Sequence, residues 1–137
     1  MAYSGKFSPR NPQKYRGNPS NIIYRSTWEC RVMNWLDQNE SIVEWGSEEF
    51  SIPYKSPVDN RIHRYFPDFY VKVRQKDATI RVMILEIKPH KQTIEPVKKS
   101  RVTKQYIQEV VTYGTNQAKW KAATEFCADR GWTFKVL

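Results

Sequence analysis

Tyr65-Phe66-Pro67-Asp68-Phe69-Tyr70-Val71-Lys72-Val73 is followed, after the polar link Arg74-Gln75-Lys76-Asp77-Ala78, by Thr79-Ile80-Arg81-Val82-Met83-Ile84-Leu85-Glu86-Ile87-Lys88. β-Branched and aromatic residues dominate both runs, a pattern that reads as an antiparallel hairpin. With the turn centred on Asp77, Asp68 falls opposite Glu86. Side chains alternate along a strand, so Lys88 points to the same side as Glu86. The pairing gathers two carboxylates and an ammonium on one face.

Val82-Met83-Ile84-Leu85 is a continuous apolar run, the mark of a central strand covered on both faces. Ionised groups beside such a run are costly unless something pairs with them. A divalent cation would do so, and hard cations such as Mg²⁺ favour carboxylate oxygens. Glu86 and Lys88 taken alone read as a salt bridge at a strand end. Pro67-Asp68 in register on the partner strand favours the cation.

Pro67-Asp68 and Glu86-Ile87-Lys88 resemble the two halves of the motif that defines the PD-(D/E)xK nucleases, with their restriction-endonuclease-like fold. Further stretches resemble the head-completion nucleases of contractile-tailed phages. These are Met1-Ala2-Tyr3-Ser4-Gly5-Lys6, Lys14-Tyr15-Arg16-Gly17-Asn18-Pro19, Tyr24-Arg25-Ser26-Thr27-Trp28-Glu29, Trp45-Gly46-Ser47-Glu48, Ile52-Pro53-Tyr54 and Lys119-Trp120-Lys121-Ala122-Ala123. A more distant likeness is to the endonuclease subunit of cut-and-paste transposases.

The resemblance implies metal-dependent hydrolysis of DNA phosphodiesters without a nucleotide cofactor. Asp68, Glu86 and the backbone carbonyl of Ile87 would hold one or two Mg²⁺, with Mn²⁺ able to substitute. Lys88 would orient or deprotonate the attacking water, or neutralise the pentavalent phosphate. The resemblance also implies head completion. A double-stranded or branched DNA end is processed near the portal before neck or tail attaches, in the host cytoplasm or the virion. The rival readings are a virion protein that binds DNA or portal without cutting, and a sequence-specific regulator.

The composition agrees with a folded, polyanion-binding domain. The chain has 137 residues, 39% hydrophobic and 14% aromatic, with a net charge of +9. That excess of cations points to nucleic acid, or serves only solubility. Cys30 and Cys127 fall in expected helices and read as reduced core thiols in an intracellular setting. No apolar run approaches the ~20 residues of a membrane span, and no signal peptide opens the chain.

The expected fold is α/β (α+β mixed sheet). A restriction-endonuclease-like αβββαβ core spans 24–137, with one extra helix and an extended basic arm over 1–23. The arm carries Lys6, Arg10, Lys14 and Arg16 without an acid, and either follows a phosphate backbone or is a solvated tail. A first helix from Ser26 to about Asn39 places Trp28, Val32, Trp35 and Leu36 inward. Ser26 and Glu29 fit a capping box, while the resemblance would give Glu29 a place at the metal. Ser41–Trp45 reads as a short strand or bridge, and Glu48–Tyr54 as the first strand of the sheet.

Arg61 and Arg64 lead into the Asp68 strand, as phosphate contacts or as plain surface charge. Beyond Lys88, a loop bounded by Pro89 and Pro96 holds Lys91. A helix over 97–113 follows, with Lys98, Lys99, Arg101 and Lys104 crowding an end whose dipole prefers anions. A DNA phosphate would compensate them. Gly114 ends that helix, Asn116 caps another that stops at Gly131, and Trp132–Leu137 runs parallel to the Glu86 strand. No base-reading module is recognisable, so DNA binding should be steep in salt and low in sequence specificity.

Overall fold

The computed structural model describes residues 4–88, 93–98 and 101–137. Lys91 and Lys99 therefore lie outside the described residues. Strands β1 (Gly5–Phe7) and β2 (Ile22–Tyr24) flank a 3-10 turn at Pro12–Lys14 and lead into α1 (Thr27–Gln38). Strands β3 (Ile42–Ser47), β4 (Ile52–Lys55), β5 (Ile62–Tyr65), β6 (Phe69–Arg74) and β7 (Ile80–Glu86) follow. Helix α2 (Lys104–Arg130) and strand β8 (Thr133–Val136) complete the order.

The main sheet runs β3-β6-β7-β8, antiparallel until the parallel pair β7–β8. The order α1-β3-β6-β7-α2-β8 is the expected αβββαβ core, and β4–β5 is a separate ribbon inserted between β3 and β6. In the hairpin, Phe69 pairs with Leu85 and Tyr70 with Ile84, the register that sets Asp68 across from Glu86.

Strand β7 explains its own apolar run. Leu85 and the following Ile87 pack with Phe7, Met33, Leu36, Trp45 and Phe69 on the α1 side. Ile84 packs with Tyr70 and Cys127 on the α2 side. Each such side chain, fully buried, contributes about 1.5–3 kcal/mol. Both cysteines are free. Among the described residues no helix is long and apolar enough to cross a membrane.

Several elements differ from expectation. The basic segment before residue 24 is folded rather than extended: β1 pairs with β2, and Phe7, Tyr15 and Ile22 are core residues. The Lys14 ammonium donates to the carbonyls of Leu36, Asp37 and Asn39, satisfying the C-terminal turn of α1. The amides of Arg10 and Asn11 donate to the Asp37 carboxylate. This cover sets the helix phase. Glu29, Met33, Leu36 and Asp37 face inward, while Trp28 and Trp35 are 42% and 57% exposed.

The first strand of the sheet is β3, not Glu48–Tyr54. Glu48 takes a φ of 53° and turns the chain out of the sheet. Pro67 lacks an N–H for the ladder, so the expected strand over 65–73 breaks between β5 and β6. The two expected helices after residue 97 are one, α2, which begins at Lys104 behind the Thr103 cap and passes through Gly114. Gly114 is not left-handed, whereas Gly131 (φ 70°) is, and only Gly131 ends the helix. Asn116 is then a buried mid-helix residue, not a cap.

Candidate active site

Asp68 occupies the bend between β5 and β6, where Pro67 has interrupted the ladder. Its carbonyl accepts from the Glu48 amide at 3.1 Å, and its Oδ2 accepts from the Ile87 amide at 2.7 Å. The second bond ties the entrance of β6 to the exit of β7. On the other flank the end of β8 holds the same segment. The Leu137 amide donates to the Glu86 carbonyl at 2.8 Å, and the Lys88 amide donates to the Leu137 carbonyl at 3.4 Å. Glu86-Ile87-Lys88 is thus clamped from both sides.

Glu86 is 5% exposed. The Tyr65 hydroxyl donates to its Oε2, and the Lys88 ammonium lies 3.9 Å from its Oε1. The hairpin register sets the Asp68 and Glu86 carboxyls across from each other, close enough for the Asp68 charge to act on Glu86. Burial, reinforced by the Asp68 charge, pushes the Glu86 carboxyl up to about 7, against the pull of Tyr65 and Lys88. Burial also raises Asp68, while the Ile87 amide and Lys88 pull it down. Two neighbouring buried carboxyls cannot both ionise cheaply, so they share a proton or recruit a cation.

Glu29 joins from α1. The Ser26 hydroxyl accepts from the Glu29 amide at 3.1 Å, the expected cap. The Glu29 carboxylate reaches back one residue further than a capping box requires, to the Arg25 amide at 2.7 Å. Burial raises its pKa, and the charges of Asp68 and Glu48 add to the rise. The helix therefore delivers Glu29 into electrostatic reach of Asp68 while it serves as part of the cap.

The other cations expected to meet DNA are not drawn into this cluster. Arg61 and Arg64 are exposed on and beside β5. Lys98 and Arg101 lie before the cap of α2, and Lys104 is its first residue, all exposed. Among the described residues no ion pair links any of them to Asp68 or Glu86.

Sequence reasoning missed Tyr65 and Glu48. As part of one continuous strand, Tyr65 would face away from Asp68; the break at Phe66–Asp68 turns its hydroxyl onto Glu86 instead. The Lys119 ammonium sits 5.7 Å from the Tyr65 ring centroid and 5.8 Å from that of Tyr54, a cation–π contact that helps hold the ring. Glu48 pairs with the Arg25 guanidinium and adds negative potential at both Glu29 and Asp68. Its signal, an acid directly after Gly46-Ser47 at the end of a strand, was too weak to read.

Among the described residues no three acidic, imidazole or thiol groups form a ready cation cage. The donor set nevertheless fits a hard divalent ion. Mg²⁺ needs only one or two carboxylates, filling its remaining positions with water and substrate phosphate. Asp68 and Glu86 are two carboxyls whose ionisation burial opposes, and bound positive charge would offset that opposition.

Comparisons with known proteins place the chain in a family. A profile of the TnsA-like endonuclease N-terminal domain matches residues 39–137. The head completion nuclease of Enterobacteria phage T4 is 43% identical over 141 aligned residues, which cover 100% of this chain and 91% of that protein. The chain belongs to this nuclease family. No solved structure matches it. The endonuclease match includes Tyr65, Asp68, Glu86, Ile87 and Lys88 but begins after α1, so Glu29 precedes it.

Proposed function

We propose that the protein is a divalent-metal-dependent DNA endonuclease that acts in phage head completion, with Asp68, Glu86 and Lys88 at its centre. The observation that carries this reading is the hairpin register that sets Asp68 across from Glu86, with the Ile87 amide on Asp68 and the Lys88 ammonium 3.9 Å from Glu86. When bound, Mg²⁺ or Mn²⁺ supplies positive charge to the scissile phosphate and lowers the pKa of nearby water. Asp68 and Glu86 would hold the cation through hard oxygens, with the Ile87 carbonyl as a further donor, while Glu29, whose carboxylate accepts from the Arg25 amide, would add negative charge beside them.

The rest of the chemistry belongs to the chain itself. The Ile87 amide holds the Asp68 rotamer, and Tyr65 engages one Glu86 oxygen so that the other turns toward Lys88. Lys88, about a third exposed, has three donors for a water or a phosphate oxygen and neutralises charge as the phosphate becomes pentavalent. Arg61, Arg64, Lys98, Arg101 and Lys104 contact flanking phosphates, which makes binding salt-dependent and indifferent to sequence. The T4 relative's name supports a place in head completion; the substrate proposed there is the packaged DNA end near the portal, in the host cytoplasm.

Conversion of supercoiled plasmid to nicked or linear DNA tests the reading. It should occur with Mg²⁺ or Mn²⁺, stop with EDTA, and fall about 100-fold or more in Glu86→Ala and Lys88→Ala. DNA binding without breakage under either metal would leave a non-cleaving head protein.

A further inference from the structure

We infer that the outer face of the β4–β5 ribbon binds DNA whose bases are unpaired beside a duplex, as at a fork or flap, with Phe66 stacking on the unpaired base. The inference deepens the site proposed above and rests on that reading.

The ribbon is two-faced. In its register Ile52 pairs with Tyr65, Pro53 with Arg64, Tyr54 with His63 and Lys55 with Ile62. Ile52, Tyr54 and Tyr65 are buried and pack with Ala123 and Trp120 of α2. The alternate residues Pro53, Lys55, Ile62 and Arg64 are exposed, as is Phe66 directly after β5. Ile62 is 70% and Phe66 50% exposed. This face bears two cations and no acid, and the nearby Asp59 is engaged by the Arg61 amide and the His63 ring. Charge complementarity therefore favours a polyanion.

The apolar residues say which kind. Phosphates and sugars of an intact duplex offer Phe66 and Ile62 little beyond continued contact with water. An unpaired base offers a π-face, and an aromatic side chain with a neighbouring arginine is the usual platform for it. Ile62 and Arg64 lie one step of about 6.6 Å apart on one face of β5, and Phe66 follows just beyond its end, so a cation stands between two apolar groups. Phe66 is also two residues from Asp68. A base held there lies beside the chain segment that leads into Asp68.

Fluorescence anisotropy in EDTA, at fixed ionic strength, tests this with the full chain. A forked oligonucleotide is compared with a blunt duplex of the same paired sequence. Wild type should bind the fork about ten-fold tighter or more. Phe66→Ala should lose most of that preference while its affinity for the blunt duplex stays within about two-fold, and Phe66→Trp should retain it. Phe66 is exposed, so neither variant threatens the core. Equal wild-type binding of both DNAs, or an undiminished preference in Phe66→Ala, overturns the inference and leaves the face to a protein partner. Because cleavage is absent in EDTA, the two readings fail separately. A fork preference without metal-driven breakage sinks the nuclease reading alone, and breakage without the preference sinks this one.

Discussion

The Ile87 amide donates to Asp68 Oδ2 at 2.7 Å, so the acid that precedes β6 is oriented by the backbone that carries Glu86 and Lys88. Charge and hydrogen bonding can be separated at this position. Asp68→Asn keeps an oxygen for the Ile87 amide but removes the anion. It should fold with stability within about 1 kcal/mol of wild type and lose metal-driven DNA breakage by about 100-fold or more. Asp68→Ala should lose the breakage and about 1–3 kcal/mol besides, because the amide is left without its acceptor. Urea unfolding beside plasmid cleavage checks both. Equal destabilisation by the two substitutions would show that the amide bond contributes nothing.

Tyr65 acts through Glu86. Tyr65→Phe removes the hydroxyl that donates to Glu86 Oε2 and leaves the ring packed beneath Lys119. Partners of this kind typically change metal affinity about 10–100-fold. The Mg²⁺ concentration for half-maximal cleavage should therefore rise about ten-fold, with much of the rate recovered at saturation. Calorimetric titration of Mn²⁺ into the protein should show the same weakening without reference to turnover. An unchanged metal requirement with a uniformly lower rate would give Tyr65 a different role.

The raised Glu86 carboxyl has a consequence for stability. Its folded value near 7 lies above the ordinary 4.5, so between those pH values the folded chain keeps a proton that the unfolded chain has released. Protein free of divalent ions should then lose stability as pH rises from about 4.5 to 7, by at most about 2–3 kcal/mol. Glu86→Gln should flatten that decline. A Mg²⁺ ion held as proposed, by the folded state alone, should stabilise most at the neutral end. Urea midpoints at several pH values in EDTA and in Mg²⁺ measure it. A midpoint in EDTA that climbs toward pH 7 in wild type and variant alike would mean Glu86 is ionised in the fold.

The hairpin was legible because its register needs only local information: two β-rich runs, a polar turn and strict alternation. Asp68, Glu86 and Lys88 inherit their proximity from that register. The phase of α1 was not legible in the same way. The stripe Trp28, Val32, Trp35, Leu36 is the more apolar, yet the buried one holds Glu29 and Asp37. Those acids are tolerated inside because amides of Arg25, Arg10 and Asn11 bind them, and these come from chain that local periodicity does not see. Gly114 misled for a related reason. A glycine ends a helix through a left-handed cap, and nothing local distinguishes it from Gly131, which forms one.

Lys14 separates the two views of the basic N-terminal segment. A phosphate-tracking arm would spend this ammonium on DNA, whereas here it donates to three carbonyls at the end of α1, at 2.8–3.0 Å. Lys14→Met keeps the aliphatic stem and removes those bonds. It should lower stability by about 1.5–3 kcal/mol, the range for hydrogen bonds to charged groups. The salt dependence of DNA binding should stay unchanged, whereas loss of one phosphate contact would reduce the log–log slope by about 0.9. Thermal unfolding together with binding isotherms at several salt concentrations makes the comparison. A shallower slope with unaltered unfolding would return Lys14 to the DNA, and with it the picture of the segment as an arm.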